Sequence, residues 1–297
     1  MAYINYVGAK KRFHLHPMTL LKHLILIALF FATLYPFWYV LVIALSEGET
    51  ATGYQLIFWP DGFTFGNISY VVSTPDFLRI YGNTAFVVVM GTFCSLITTM
   101  LLAYGLSQRV YGIRAVRILV IFTMLFGGGM IPMYLVVRAT GLLNSLWALI
   151  LPGMVSPFYT FIMLNALRTI PDSLSESAQI DGAGPVTILF KIMLPLSLPT
   201  LATLTLFYAV NYWNTYFSAV LYTPRRSQWT LQIFLRQILL LTGETSDVGG
   251  ATDTSMVQYS TNIKMATVLV AVVPVMMIYP FLQKHFTKGI MVGAVKQ

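Results

Sequence analysis

The chain has 297 residues, 57% of them hydrophobic and only 9% charged, against about 25% charged in an ordinary soluble domain. Its 18 Lys+Arg and 10 Asp+Glu cannot cover a water-facing surface of this size, which excludes a soluble enzyme, a disordered chain and, despite a net charge of +8, a nucleic-acid binder. The single cysteine, Cys94, excludes an internal disulfide framework and a Cys-cluster metal site.

Taken in chain order, six runs are free of Asp, Glu, Lys, Arg and His: 24–46, 80–108, 118–137, 139–167, 192–224 and 265–283. A helix needs roughly 20 mainly apolar residues to cross the hydrocarbon of a bilayer, so the runs predict six transmembrane helices. They are too long for barrel strands and lack the period-2 alternation. The first run is too long for a signal peptide, and no small-residue cleavage site follows it. Pro195 and Pro199 blur the start of the fifth.

Lys and Arg set the expected orientation. With the N-terminus inside, twelve fall on cytoplasmic segments (Lys10, Lys11, Arg12, Lys22, Arg109, Arg114, Arg117, Arg168, Lys191, Lys284, Lys288, Lys296) and six on outer ones (Arg79, Arg138, Arg225, Arg226, Arg236, Lys264). The positive-inside rule selects this arrangement, with both termini cytoplasmic. Two outer loops are long, about 47–79 and 225–264. The first holds a Trp-Pro-Asp-Gly turn at 59–62. The centre of the second, 241–254, is rich in Gly, Thr, Ser and Asp and reads as a flexible tip or a solvated spacer.

The cytoplasmic loop 168–191 is distinctive. Ser173 and Glu176 match the S-x-x-E capping box, which predicts a helix starting near Leu174. Gly182 and Gly184 can end it, and Pro185 suits the first turn of a second helix. Leu174 and Ala178 share a face, with Ser177 and Asp181 beside them. Such a ridge suits docking on another protein and equally suits packing on its own bundle. In the fifth run, Tyr208, Asn211, Tyr212 and Thr215 share a helical face. Rings and amides suit a sugar path, and the same residues suit helix–helix packing. No Walker A pattern and no His/Glu metal spacing occur. With no charge inside the spans, proton or ion coupling has no evident carrier.

Glu176-Ser177-Ala178, three residues, Gly182, nine residues, then Ile192-Met193-Leu194-Pro195 resembles the EAA motif of permease subunits in ATP-binding-cassette importers, with Ser177 replacing an alanine. The segments Thr-Phe-Gly-Asn-Ile-Ser-Tyr (64–70), Gly-Leu-Leu-Asn-Ser-Leu-Trp (141–147), Ile-Asp-Gly-Ala (180–183) and the tail 288–296 resemble the shorter partner subunit of maltose-type carbohydrate importers. Gly-Gly-Gly-Met-Ile-Pro (127–132) and Tyr-Trp-Asn-Thr-Tyr-Phe-Ser-Ala (212–219) resemble a subgroup for oligosaccharides from complex polysaccharides.

The resemblance implies an all-α membrane protein of the type I importer permease fold. It has a cytoplasmic segment 1–23, a six-helix permease domain 24–283 and a cytoplasmic tail 284–297, in a bacterial inner membrane. It implies a second homologous permease, two ATPase subunits that hold ATP and Mg while this chain binds no cofactor, and an extracytoplasmic sugar-binding protein. It implies coupling to the ATPases through Glu176, Ser177, Ala178, Asp181, Gly182, Ile192, Leu194 and Pro195. The substrate path is expected at Tyr208, Asn211, Tyr212 and Thr215, and binding-protein contact at Thr242, Gly243, Glu244 and Asp247. A non-sugar cargo stays open, as does a secondary transporter, although the latter would need intramembrane ionisable groups or paired repeats.

Overall fold

A computed structural model describes residues 17–47, 56–240 and 260–294, with the side chains of the last stretch to Met277. The described residues are almost entirely helical. In order they form α1 (Pro17–Ala44), α2 (Gly66–Val72), α3 (Phe77–Ser107), α4 (Ile113–Leu125), α5 (Met130–Ala139), α6 (Trp147–Ile150, with a 3-10 turn to Gly153) and α7 (Pro157–Arg168). Then follow α8 (Asp172–Ile180), α9 (Pro185–Ile188), a π-turn (Leu189–Met193), α10 (Leu194–Leu196), α11 (Leu198–Trp213), α12 (Phe217–Tyr222), α13 (Leu231–Leu240) and α14 (Thr261–Ala294).

Among the described residues, Met18–Ala44 and Phe77–Ser107 are single helices long and apolar enough to cross a membrane. The third, fourth and fifth runs were expected as continuous spans and are not. Each is a bent pair: α4 with α5 at 113°, Trp147–Gly153 with α7 at 54°, and Pro185–Leu196 with α11 at 80°. The breakers are visible in the chain. Gly127, Gly128 and Gly129 separate α4 from α5, and glycine costs a helix about 1 kcal/mol per residue relative to alanine. Pro152 and Pro157 flank the second break. Pro195 and Pro199 flank the third, where proline removes a helical donor. Pro195 also accounts for the π-turn. It cannot donate to the carbonyl of Lys191, and the Leu194 N–H reaches back five residues to Leu189. A last apolar stretch, Thr261–Met277, lies in α14.

The core is organised around α3, which packs on α11, α7, α6, α13 and α4. Glycine at position 91 allows the closest approach: a Cβ there would lie 2.7 Å from Cζ of Tyr212. Beside it, Ser95 Oγ and Tyr212 Oη are 2.9 Å apart and Thr99 Oγ1 and Tyr208 Oη 2.7 Å apart, both pairs buried. A second core of Phe77, Ile80, Trp213, Leu231, Phe234 and Ala266 sits where α3 begins. There Asn83 donates to the carbonyls of Ser227 and Trp229, and Thr84 accepts from the Leu231 N–H. At the other end of α3, about 46 Å away at 1.5 Å per residue, Tyr104 donates to the Pro185 carbonyl and Arg109 pairs with Asp172. The helix α8 and the helix α13 therefore occupy opposite ends of the bundle.

Segments that carried the family resemblance act as ties. Asn67 Nδ2 donates to the carbonyls of Ala44 and Ser46, capping the end of α1. Asn144, with φ of 61°, turns the chain and donates its N–H to the Tyr222 carbonyl.

Candidate functional site

Two regions stand apart from packing. The first is α8 and its exit. The helix starts at Asp172, two residues before the predicted start at Leu174, and the expected capping box is not formed. Pro171, at φ −58°, occupies the N-cap with no side-chain bond. That places Ser173 and Glu176 two residues too far along the helix for reciprocal capping. Asp172 sits in the first turn, where a carboxylate favours the helix dipole.

The exit is as expected. Gly182 has φ of +81°. The Ala183 N–H donates to the Ala178 carbonyl at 2.8 Å and the Gly182 N–H to the Gln179 carbonyl at 3.0 Å. This is a Schellman motif, and its left-handed position costs other residues roughly 1 kcal/mol or more. Ala178 and Ala183 touch the bundle core, while Glu176, Ser177, Asp181 and Gly182 face outward. The Leu174–Ala178 ridge is thus divided: Ala178 packs inward and Leu174 is 44% exposed. Ile180, which opens the Ile-Asp-Gly-Ala segment of the resemblance but was given no site role, is 86% exposed. It lies six residues from Leu174, about 120° around the helix from it, and one turn beyond Ser177. Ile192 and Leu194 are partly buried in the core through the π-turn, and Pro195 is exposed.

The second region is a cleft of about 420 Å³ between α5, α6 and the break after α11. Tyr212, Asn211, Asn214, Thr215, Tyr216 and Ser218 supply its polar lining, with Met133, Leu149 and Pro152 on the apolar side. Helix α11 ends there because its own side chains compete for the last-turn carbonyls. Asn214 Nδ2 donates to Val210 and Thr215 Oγ1 to Asn211. The four residues predicted on one face of this helix divide. Tyr208 and Tyr212 are buried with their hydroxyls on Thr99 and Ser95, and Tyr212 also donates to Ile150. Asn211 and Thr215 line the cleft together with Tyr212, and Tyr208 does not reach it. Tyr216 carries Arg236 of α13 over its ring at 4.7 Å, and the guanidinium donates to its hydroxyl. Thr242, Gly243, Glu244 and Asp247 lie outside the described residues. Among the described residues no cluster of His, Cys, Asp and Glu could hold a metal.

The architecture matches known proteins over nearly its whole length. Residues 58–292 match the family described as the binding-protein-dependent transport system inner membrane component. The polygalacturonan/rhamnogalacturonan transport system permease protein YtcP of Bacillus subtilis (strain 168) is 44% identical over 88% of this chain and 92% of its own. The arabinooligosaccharides transport system permease protein AraQ of Halalkalibacterium halodurans is 28% identical over 82% of this chain and 84% of its own. Among solved structures, a bacterial ABC transporter involved in the import of the acidic polysaccharide alginate superposes with a TM-score of 0.81 at 30% identity, covering 91% of this chain and 96% of that one. These matches displace the secondary-transporter alternative. The chain belongs to the binding-protein-dependent inner membrane components: it is the non-catalytic, membrane-spanning permease of an ATP-binding-cassette importer of the carbohydrate-uptake type.

Proposed function

We propose that this permease carries oligosaccharides, pairing with a second homologous permease to line the path and with two ATPase subunits to drive it. The observation that carries the cargo is the polar cleft beside α11, in a chain 44% identical to a polygalacturonan/rhamnogalacturonan permease. Amides and hydroxyls interleaved with tyrosine rings suit sugar hydroxyls and C–H faces. In this reading six spans place both termini and α8 in the cytoplasm. The ATPase then grips α8 on Leu174, Ser177, Ile180 and Asp181, with Glu176 at the edge and Gly182 shaping the turn. The π-turn with Ile192, Leu194 and Pro195 passes that movement into α11. Thr242, Gly243, Glu244 and Asp247 of the second long outer loop are the contact for the extracytoplasmic sugar-binding protein.

The test is ATP-dependent uptake in proteoliposomes holding the complete complex, across galacturonate oligomers, neutral arabino-oligosaccharides and amino acids. Oligosaccharide uptake is the expected result; uptake confined to a non-sugar solute overturns the reading. Reporter fusions after Gln297 and within 246–250 should report opposite sides of the membrane.

A further inference from the structure

We propose that Arg236 is a carboxylate-recognising residue at the rim of the α11 cleft, so that this permease selects acidic over neutral oligosaccharides. The proposal rests on the oligosaccharide reading above and names the chemical class within it.

Arg236 sits on the exposed side of α13. Its guanidinium lies 4.7 Å over the Tyr216 ring and donates to the Tyr216 hydroxyl, and Tyr216 lines the cleft. Two other arginines at this end, Arg79 and Arg226, are committed elsewhere. Arg79 and Arg226 converge on Asp76, at 2.5 and 2.9 Å, and Arg226 also lies over Trp229. Among the described residues no carboxylate lies within ion-pair distance of Arg236. A guanidinium has five N–H donors in a fixed fork. Tyr216 holds it from the face and one edge, which leaves donors for a planar carboxylate to engage with two parallel bonds. No Asp or Glu lines the cleft, so an acidic sugar meets no like charge there. The neutral lining then serves the hydroxyls, and the arginine serves the acid group. Tyr216 is a positioning residue: its ring supplies cation–π attraction and its hydroxyl fixes the orientation of the fork.

The experiment uses the complete complex in proteoliposomes with saturating, preloaded binding protein. It compares trigalacturonate with its fully methyl-esterified, uncharged form. Arg236→Gln should lower trigalacturonate uptake about tenfold, the scale of losing hydrogen bonds to a charged group, and leave the ester rate and the basal ATPase rate unchanged. Arg236→Lys keeps charge without the fork and should fall between. Tyr216→Phe keeps the ring and should give a smaller loss in the same direction. Equal loss for acid and ester would assign Arg236 to assembly or binding-protein docking and overturn the proposal. Unchanged uptake of both would overturn it too, with the oligosaccharide reading intact. If the wild-type complex carries neither saccharide, the oligosaccharide reading itself fails, before any variant is compared.

Discussion

Helices α1 and α3 are equally apolar. Their best windows share a mean hydropathy of 2.2, yet 6% of that window is buried in α1 and 33% in α3. In α1 the large apolar side chains from Met18 to Trp38 are exposed, with Tyr35 half-buried, and full burial begins only at Val42, Ile43 and Ala44. In α3 the buried set includes Thr84, Gly91, Thr92, Ser95 and Thr99. Hydropathy therefore selects membrane residence, and small or hydroxylated residues select protein neighbours. Lipid tails are as apolar as leucine, so apolar side chains alone give no preference for a helix over lipid. Close approach and interhelical hydrogen bonds do.

The strongest way to break this contrast is at Gly91. Gly91→Leu would drive a side chain into Tyr212, and Tyr212 cannot swing aside without losing Ser95 and Ile150. Overpacking of this kind costs about 1–3 kcal/mol, and the lost buried bonds add to it. We expect most of the protein to run as aggregate in detergent size-exclusion chromatography. Phe31→Ala on α1, at a position 62% exposed, should elute as wild type. A well-behaved Gly91→Leu protein would mean that α3 and α11 do not meet here.

Helix α8 extends the comparison to a short polar helix with no fully buried residue. At Gly182 an added Cβ meets nothing within 4 Å, yet φ is +81°. Gly182→Val should leave the melting temperature of the permease near wild type and abolish cargo-stimulated ATP hydrolysis or ATPase co-purification. The strain, roughly 1 kcal/mol or more, acts on the backbone of the turn. Gly182→Asn, which tolerates the left-handed region, should retain most of the coupling. Full coupling in the valine variant would return α8 to a passive surface helix.

Much of this was legible in the chain. Charge-free runs located the apolar segments, and the Gly182 turn followed from glycine after a short amphipathic stretch. The breaks were present as Gly127–129 and the proline pairs, but a criterion that counts only charges reads straight through them. The capping box misled because Pro171 and Asp172 already start the helix. Which of Tyr208, Asn211, Tyr212 and Thr215 face the cleft depends on the hydroxyls of α3, more than a hundred residues away. Helical periodicity carries no such information. The exposure of Ile180 and the contact of Arg236 with Tyr216 were not read for a related reason. An apolar residue in a loop helix and one arginine among three in a long loop have no local signature, and gain one only from what stands beside them.

The smallest effect sharpens the contrast most, because one residue type occurs in both helices. Thr33 of α1 returns its hydroxyl to its own helix, donating to the carbonyls of Leu29 and Phe30. Those carbonyls already have helical partners, so Thr33→Val removes a redundant bond and should leave the melting temperature unchanged. Thr99 of α3 spends the same hydroxyl across a helix interface, on Tyr208. Thr99→Val keeps the shape and strips a buried phenol of that partner. Interhelical bonds of this kind are worth about 0.6 kcal/mol on average and up to about 1.7, so a loss in that range should appear in denaturant or thermal unfolding in detergent. A Thr99→Val, Tyr208→Phe double variant should recover part of it, since removing both polar partners costs less than stranding one. Equal shifts for Thr33→Val and Thr99→Val would show that the difference between α1 and α3 lies in packing volume alone and owes nothing to where their hydroxyls go.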